Sequence, residues 1–176
     1  VLEYCTWDSH EKFPENSELE ALTIYSKSYQ GLVIDFSDIK KVTLRCPKIN
    51  LAPAYLSNVK EINFEFFAPS EEFQSSNFIP KIGYSNVFLD EEDLRQTIKS
   101  LDRTLTFSRV HFGSAVLSKL WETSEINANW CDSIERISSC DCEKLTVDSC
   151  SRLTGIDNLS RLKYLTITDC KKFQTI

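Results

Sequence analysis

The C-terminal stretch from Cys142 to Ile176 repeats its pattern of apolar residues. Apolar side chains occupy every third position from Cys150 to Leu165, and the step shortens to two at Leu145/Val147 and again at Leu165/Ile167. A step of two points both side chains to one face of a strand. A step of three suits a chain that turns a corner every few residues and sends one side chain inward at each corner. Self-similarity at a period of 20 residues, from Leu145 to Leu165, therefore predicts a solenoid.

The same two-residue step recurs along the whole chain. The first five pairs start 20 residues apart, and the later units are 28, 16, 19 and 20 residues long. This spacing predicts nine strands in a single domain that spans residues 1–176. We expect a fragment of a longer chain, because no initiator methionine is present and the last unit stops halfway. The predicted inward pairs are Leu2/Tyr4, Leu22/Ile24, Val42/Leu44, Ile62/Phe64, Ile82/Tyr84, Val110/Phe112, Ile126/Ala128, Leu145/Val147 and Leu165/Ile167.

One unit matches the layout L-x-x-L-x-L-x-x-C-x-x-L through Cys142, Leu145, Val147, Cys150 and Leu153. This pattern resembles the leucine-rich-repeat family, with cysteine where many such repeats carry asparagine. The resemblance implies an α/β solenoid with a parallel sheet on its concave face and loops or short helices on its convex side. Repeats of about 20 residues with this cysteine are similar to the intracellular repeat arms of F-box ubiquitin-ligase receptors and plant-type immune receptors.

Residues 90–101 depart from the strand pattern. Asp90 can cap a helix, and the acidic residues that follow it face the positive end of the helix dipole. Leu94, Ile98 and Leu101 are spaced four and three apart and form one apolar stripe. We therefore expect a helical insertion that accounts for the 28-residue unit.

Four glycines in 176 residues are too few to make every corner of a solenoid. Asn, Asp and Ser are the other residues that adopt turn conformations readily. We therefore expect these three residue types at the corners.

The seven cysteines lack the spacing of a disulfide framework or a zinc site. Cys131, Cys150 and Cys170 each follow the first inward residue of a strand by five positions, and Cys140 and Cys142 match Leu159 and Leu162 of the next unit. This register predicts buried, unpaired thiols in a reducing, intracellular setting. Disulfides or a metal site remain the alternatives.

Catalytic motifs are missing from the sequence. The two histidines, His10 and His111, belong to no nucleophile-elbow, P-loop or H-E-x-x-H spacing, and the acids at 90–93 lack the ligand alternation of a calcium loop. We expect no enzyme activity, cofactor or metal. The net charge of −6 disfavours nucleic acid, and no apolar run approaches the roughly 20 residues of a bilayer span. No small-molecule site is evident.

The concave sheet is the surface left to carry function. Its outward residues form ladders, since strands stack about 4.8 Å apart. The interpretation we favour is a non-catalytic module that binds a partner protein through this face, as the recognition arm of a larger complex. The alternatives are a metal-dependent or hydrolytic domain on a parallel β-solenoid, and a structural segment. The predicted partner-binding residues are Tyr25, Arg45, Asn63, Glu65, His111, Asn129, Asp148 and Thr168.

Overall fold

A single parallel sheet of nine strands runs the length of the chain in a computed structural model of the protein. The strands come from successive coils of a parallel β-solenoid, so each strand pairs with the equivalent strand one coil away. The structure describes residues 2–3, 20–25, 32–33, 39–45, 49–50, 58–67, 79–90, 103–118, 122–139 and 141–176.

Seven shorter strands lie between the main ones and form small parallel sheets of their own. The main sheet has the order β1-β2-β4-β6-β7-β9-β12-β14-β16, and the small sheets are β3-β5, β8-β10 and β11-β13-β15. The main strands are β1 (Leu2–Glu3), β2 (Ala21–Tyr25), β4 (Lys41–Arg45), β6 (Glu61–Glu65), β7 (Lys81–Ser85), β9 (Thr104–Ser108), β12 (Glu122–Asn129), β14 (Asp141–Asp148) and β16 (Tyr164–Thr168). The short strands are β3 (Leu32–Val33), β5 (Ile49–Asn50), β8 (Phe88–Leu89), β10 (His111–Phe112), β11 (Val116–Ser118), β13 (Arg136–Ser138) and β15 (Gly155–Asp157).

The two-residue alternation fills the core. Equivalent inward side chains stack on one another from coil to coil, because neighbouring strands are paired in register. At the centre, the rings of Phe64, Tyr84 and Phe107 stack with centroid separations of 5.8 Å at each step. Burying a side chain of this size contributes roughly 1.5–3 kcal/mol. The core therefore runs continuously along the solenoid axis.

Left-handed corners end the main strands. The residue after each of β6, β7, β9, β12, β14 and β16 has a positive φ between 50° and 68°, and its identities are Phe66, Asn86, Arg109, Trp130, Ser149 and Asp169. This conformation costs an L-residue other than Asn or Asp roughly 1–2 kcal/mol. The corner N–H is hydrogen-bonded to the last carbonyl of the next main strand, as in Trp130 to Asp148 at 2.9 Å and Ser149 to Thr168 at 2.9 Å. The prediction of Asn, Asp or Ser at the corners is thus wrong for Phe66, Arg109 and Trp130.

The predicted strands are confirmed for seven of the nine pairs, and two need correction. The pair Val110/Phe112 is not in the main sheet: β9 carries Leu105 and Phe107 there, while Val110 and Phe112 are buried elsewhere in the coil. The spacing prediction took Val110/Phe112 as the pair that follows the helical insertion at 90–101 and so missed the alternation in Thr104–Ser108. In β1, Leu2 lies opposite Ile24 rather than Leu22, a shift of two residues.

Every regular element in the described part of the chain is a strand. The helical insertion predicted near 90–101 lies outside the described residues, apart from Asp90, which is exposed and follows β8. The parallel β-solenoid is therefore established, and the helical half of the α/β class stays a prediction.

The cysteine register is confirmed for the described thiols. Cys131, Cys142 and Cys150 are fully buried and unpaired, while Cys170 is half-buried because it belongs to the last coil of the sheet. The thiols of Cys131 and Cys150 donate weak hydrogen bonds to backbone carbonyls, among them Asn129 and Asp148 at 3.5 Å each. Cys140 lies outside the described residues.

Leu145→Ala should destabilise the protein by about 2–5 kcal/mol, since Leu145 is completely buried between two coils and truncation leaves a cavity. Thr146→Ala, one residue on, should change the stability by less than about 1 kcal/mol because Thr146 points outward. Urea unfolding followed by circular dichroism measures both. Equal losses would contradict the register of β14.

Candidate partner-binding surface

The face of the main sheet that points away from the core, here called the outward face, carries three rows of side chains. Each row runs across the strands, one residue per strand, because the strands are in register. The first row is Lys41, Glu61, Lys81, Thr104, Glu125, Lys144 and Tyr164; the middle row is Thr23, Thr43, Asn63, Gly83, Thr106, Asn127, Thr146 and Thr166; the last row is Tyr25, Arg45, Glu65, Ser85, Ser108, Asn129, Asp148 and Thr168.

The first row alternates in charge. Lys41 pairs with Glu61 at 2.5 Å, and Lys144 pairs with Glu125 at 2.7 Å. Exposed pairs of this kind contribute little to stability, typically about 0–1 kcal/mol. They do place fixed charges of both signs along one edge of the outward face.

The middle row contains a gap at Gly83. This glycine lies between Asn63 on β6 and Thr106 on β9, and a Cβ added to it would stand 2.6 Å from Asn63 Oδ1. The missing side chain leaves room for the Asn63 amide, and a groove of about 360 Å³ lined by Asn63, Gly83, Thr106, Asn127 and Lys81 lies here. Glycine inside a strand often marks a place where another molecule approaches the backbone closely.

The groove walls are rich in hydrogen-bonding groups that are held in position. Asn63 Oδ1 accepts a bond from the Ser85 hydroxyl at 3.2 Å, and Asn127 Nδ2 donates to Glu125 Oε1 at 3.4 Å. These bonds orient the two side-chain amides. The NH2 group of Asn63 and the side-chain carbonyl of Asn127 can still bond to other groups, since each side-chain amide can make further hydrogen bonds. The groove can therefore bind a polar or extended chain.

In the last row, Arg45 and Glu65 form an ion pair. Arg45 Nε donates to Glu65 Oε2, and the carboxylate also accepts from Asn86 Nδ2 at 3.4 Å. Glu65 is 9% exposed, so this ion pair is largely shielded from solvent. The Arg45 guanidinium also lies 5.9 Å from the centre of the Phe66 ring. The backbone of Tyr25 lies opposite Arg45, and the Tyr25 side chain is outside the described residues.

The remaining predicted residues divide into two groups. Asn129, Asp148 and Thr168 share the last row on neighbouring strands, as expected. The prediction that His111 lies on the outward face is wrong, because β9 takes that place in the sheet and His111 belongs to β10. Its exposed ring stacks on Phe88 with a centroid separation of 5.6 Å. A role for any of these residues in partner binding stays a prediction.

Sequence reasoning missed Gly83, Thr106 and Asn127 as site residues. Asn127 was recognisable as outward from the alternation of β12, but nothing distinguished it from other outward residues. The signal for the groove was the glycine itself, in the strand Lys81–Ser85, where every other residue carries a side chain.

Among the described residues, no group of three or more His, Cys, Asp or Glu side chains is placed to hold a metal ion. None of the described segments forms a helix with the length and hydrophobicity needed to cross a bilayer.

No protein-family model, curated protein or solved structure matches this chain. The function is therefore inferred from the geometry of the molecule itself.

The buried thiols should resist alkylation in the folded protein. Burial raises the pKa of Cys142 above its ordinary value of 9.0 to about 11, so its thiolate fraction at pH 8 falls about a hundredfold. The hydrogen bond to Cys131, together with burial, also raises the pKa of Cys150. Peptide mapping after iodoacetamide treatment should find Cys142 and Cys150 unlabelled and Cys170 labelled faster. Rapid native labelling of Cys142 would contradict its burial.

The same shift links the Cys142 thiol to stability. The folded thiol holds its proton more tightly than the unfolded one. The protonated thiol therefore adds to the free energy of unfolding below about pH 9, and this stabilisation is lost as the pH rises towards 11. Cys142→Ala should therefore flatten the fall of the unfolding midpoint over this pH range.

Proposed function

We propose that this chain is a non-catalytic protein–protein interaction module that binds a partner protein through the outward face of its nine-stranded sheet. The observation that carries the proposal is the groove of about 360 Å³ at Gly83, in the middle of rows that are otherwise filled with side chains. A groove floored by backbone and walled by oriented amides and hydroxyls suits an extended segment of a partner.

The composition of the outward face supports the same proposal. Its last row brings an arginine and a carboxylate together beside an exposed aromatic ring, and arginine and aromatic residues are enriched among the residues that dominate interface energies. The first row adds charges of both signs, which favour specificity more than affinity.

The finer identity we propose is a leucine-rich-repeat-like arm with an irregular repeat length. Such an arm would serve as the substrate- or ligand-recognition part of a larger intracellular complex, for example an F-box ubiquitin-ligase receptor. The cysteine at the same position of three consecutive coils supports the resemblance, and the unpaired, buried thiols support a reducing compartment.

Filling the groove tests this function. A photo-crosslinking amino acid placed at Thr106 should capture the partner in cells of the source organism, and the captured protein is then purified. Gly83→Gln should weaken its binding at least about tenfold in isothermal titration calorimetry, because the new side chain occupies the groove. The unfolding midpoint should fall only modestly, since the added Cβ displaces the end of the Asn63 side chain but points away from the core.

Thr166→Gln is the matched control. It adds the same side chain to the same row, on β16 rather than β7, and should leave the affinity within about twofold. A partner that binds Gly83→Gln as tightly as the native chain, or equal losses from both variants, would rule out the groove as the binding site.

A further inference from the structure

Three of the left-handed corners carry side chains that the turn itself does not favour. Phe66, Arg109 and Trp130 have φ values of 68°, 54° and 52°. At the equivalent corners the same protein uses Asn86 and Asp169, which adopt this conformation more readily. The fold does not need the large side chains, and strained positions of this kind cluster at functional sites.

These corners lie beside other exposed rings. Phe66 is 64% exposed, Trp130 is 50% exposed, and Phe88 is 57% exposed. The Arg109 guanidinium lies 5.3 Å from the centre of the Trp130 ring, and His111 stacks on Phe88. We call these five residues, Phe66, Phe88, Arg109, His111 and Trp130, the corner ridge. Because apolar rings on a soluble surface are unfavourable unless they are covered, the ridge has the composition of a binding surface.

A groove of about 590 Å³ is lined by Arg109, His111 and Trp130 of the ridge together with Asp132, Ser133 and Arg152. Two of its charged groups are already engaged. Asp132 Oδ1 accepts bonds from the N–H and the hydroxyl of Ser151, at 3.1 and 2.6 Å, which hold the pKa of that carboxyl below its usual range. Arg152 pairs with Glu135.

The Arg109 guanidinium differs from these two groups. Within the described residues the structure gives it the Trp130 ring as a neighbour and no carboxylate within ion-pair distance. An arginine laid flat on an aromatic ring keeps its edge donors available, and a carboxylate accepts two of them in a planar fork. Among the described residues, Arg109 is therefore a cation of the groove lining without a carboxylate partner, and Asp132 keeps a negative charge in the same lining.

We propose that the corner ridge and its groove bind an extended segment of a partner protein in which a carboxylate side chain lies close to an apolar side chain. The carboxylate pairs with Arg109, and the apolar side chain covers the exposed face of Trp130. The Arg109 guanidinium selects a single carboxylate beside an apolar group, since a polyanion such as a nucleic acid would meet both Asp132 and the repulsion of the acidic chain as a whole. The proposal concerns a surface other than the Gly83 groove and does not rest on the function proposed for it.

A random-peptide library tests the proposal with the whole purified chain. Phage-displayed twelve-residue peptides are selected on the native protein and counter-selected on a variant with Arg109→Gln and Trp130→Asn. The enriched peptides should share an Asp or Glu within two residues of an apolar side chain. A synthetic peptide of this kind should lose about tenfold in affinity on Arg109→Gln, the size expected for a central arginine of an interface.

A double-mutant cycle assigns the contact. Replacing the peptide's Asp by Asn should weaken binding to the native protein about tenfold and should change binding to Arg109→Gln less than about threefold. Arg136→Gln is the matched control and should leave the affinity within about twofold. It removes an arginine of β13 that is paired with Asp157 of β15. Gly83→Gln should also leave it unchanged, so that failure here is distinct from failure of the outward face.

Three outcomes would overturn the proposal. These are no enrichment over the double variant, enriched peptides without a shared carboxylate, and equal binding of the best peptide to the native protein and to Arg109→Gln. Self-association in analytical ultracentrifugation that disappears in Trp130→Asn would assign the ridge to a second copy of the chain instead.

Trp130→Asn also separates binding from folding. Asparagine suits the left-handed corner better than tryptophan, so the thermal midpoint should stay within about 2 °C of the native value or rise. Peptide binding should be lost in the same variant. A midpoint lowered by more than about 4 °C would show that Trp130 serves the fold rather than a partner.

Discussion

The hydrogen bond from each left-handed corner to the next coil is the interaction on which this solenoid depends. A parallel strand has to leave the sheet without losing its register, and its last backbone groups must still find partners. Here the corner N–H continues the ladder of the main sheet by one residue, as in Arg109 to the Asn129 carbonyl at 2.9 Å. The chain thereby turns towards the core at the same place in each coil from β6 onwards, and the residue after the corner starts the next inward position.

The left-handed corner also determines how the residues that follow it pack in the core. In the C-terminal coils the residue after the corner is a cysteine, a small side chain that fits where the backbone bends over the core. The next turn is closed by the N–H three residues on, which donates a hydrogen bond to the cysteine carbonyl, at 3.2 Å for both Cys131 and Cys150. Because the coils repeat this sequence of bonds, equivalent side chains stack, and the Phe64, Tyr84 and Phe107 rings form a continuous column.

The repeat was predictable because the core is periodic, and the errors arose where periodicity gave no answer. The inward pairs of seven strands follow from the two-residue step, as does the burial of Cys131 and Cys150. The sixth strand was misplaced because Val110/Phe112 shows the same two-residue step as Leu105/Phe107 and was taken in its place. With Leu105 as the inward residue, the units from Ile82 to Leu105 and from Leu105 to Ile126 are 23 and 21 residues long. With Val110 in that place they would be 28 and 16 residues long, which is less regular.

The candidate sites were harder to predict because they depart from the repeat. The Gly83 groove exists through the lack of one side chain, and the corner ridge exists through side chains that the turn disfavours. Arg45 and Glu65 could be paired in advance, since they occupy equivalent positions on adjacent strands. No rule of spacing predicted that Phe66 would lie beside Arg45, because a phenylalanine after a strand is usually read as part of the core.

The two surfaces meet at Arg45, whose guanidinium pairs with Glu65 on the outward face and lies over Phe66 on the ridge. Substitutions in the core of a solenoid affect stability, since each coil supports its neighbours. The outward rows and the corners do not pack in the core. Residues there that adopt a costly positive-φ backbone conformation therefore require another explanation. Trp130 and Arg109 pay a conformational cost side by side and stack on one another. That pairing favours a binding role for the corners formed by Arg109 and Trp130.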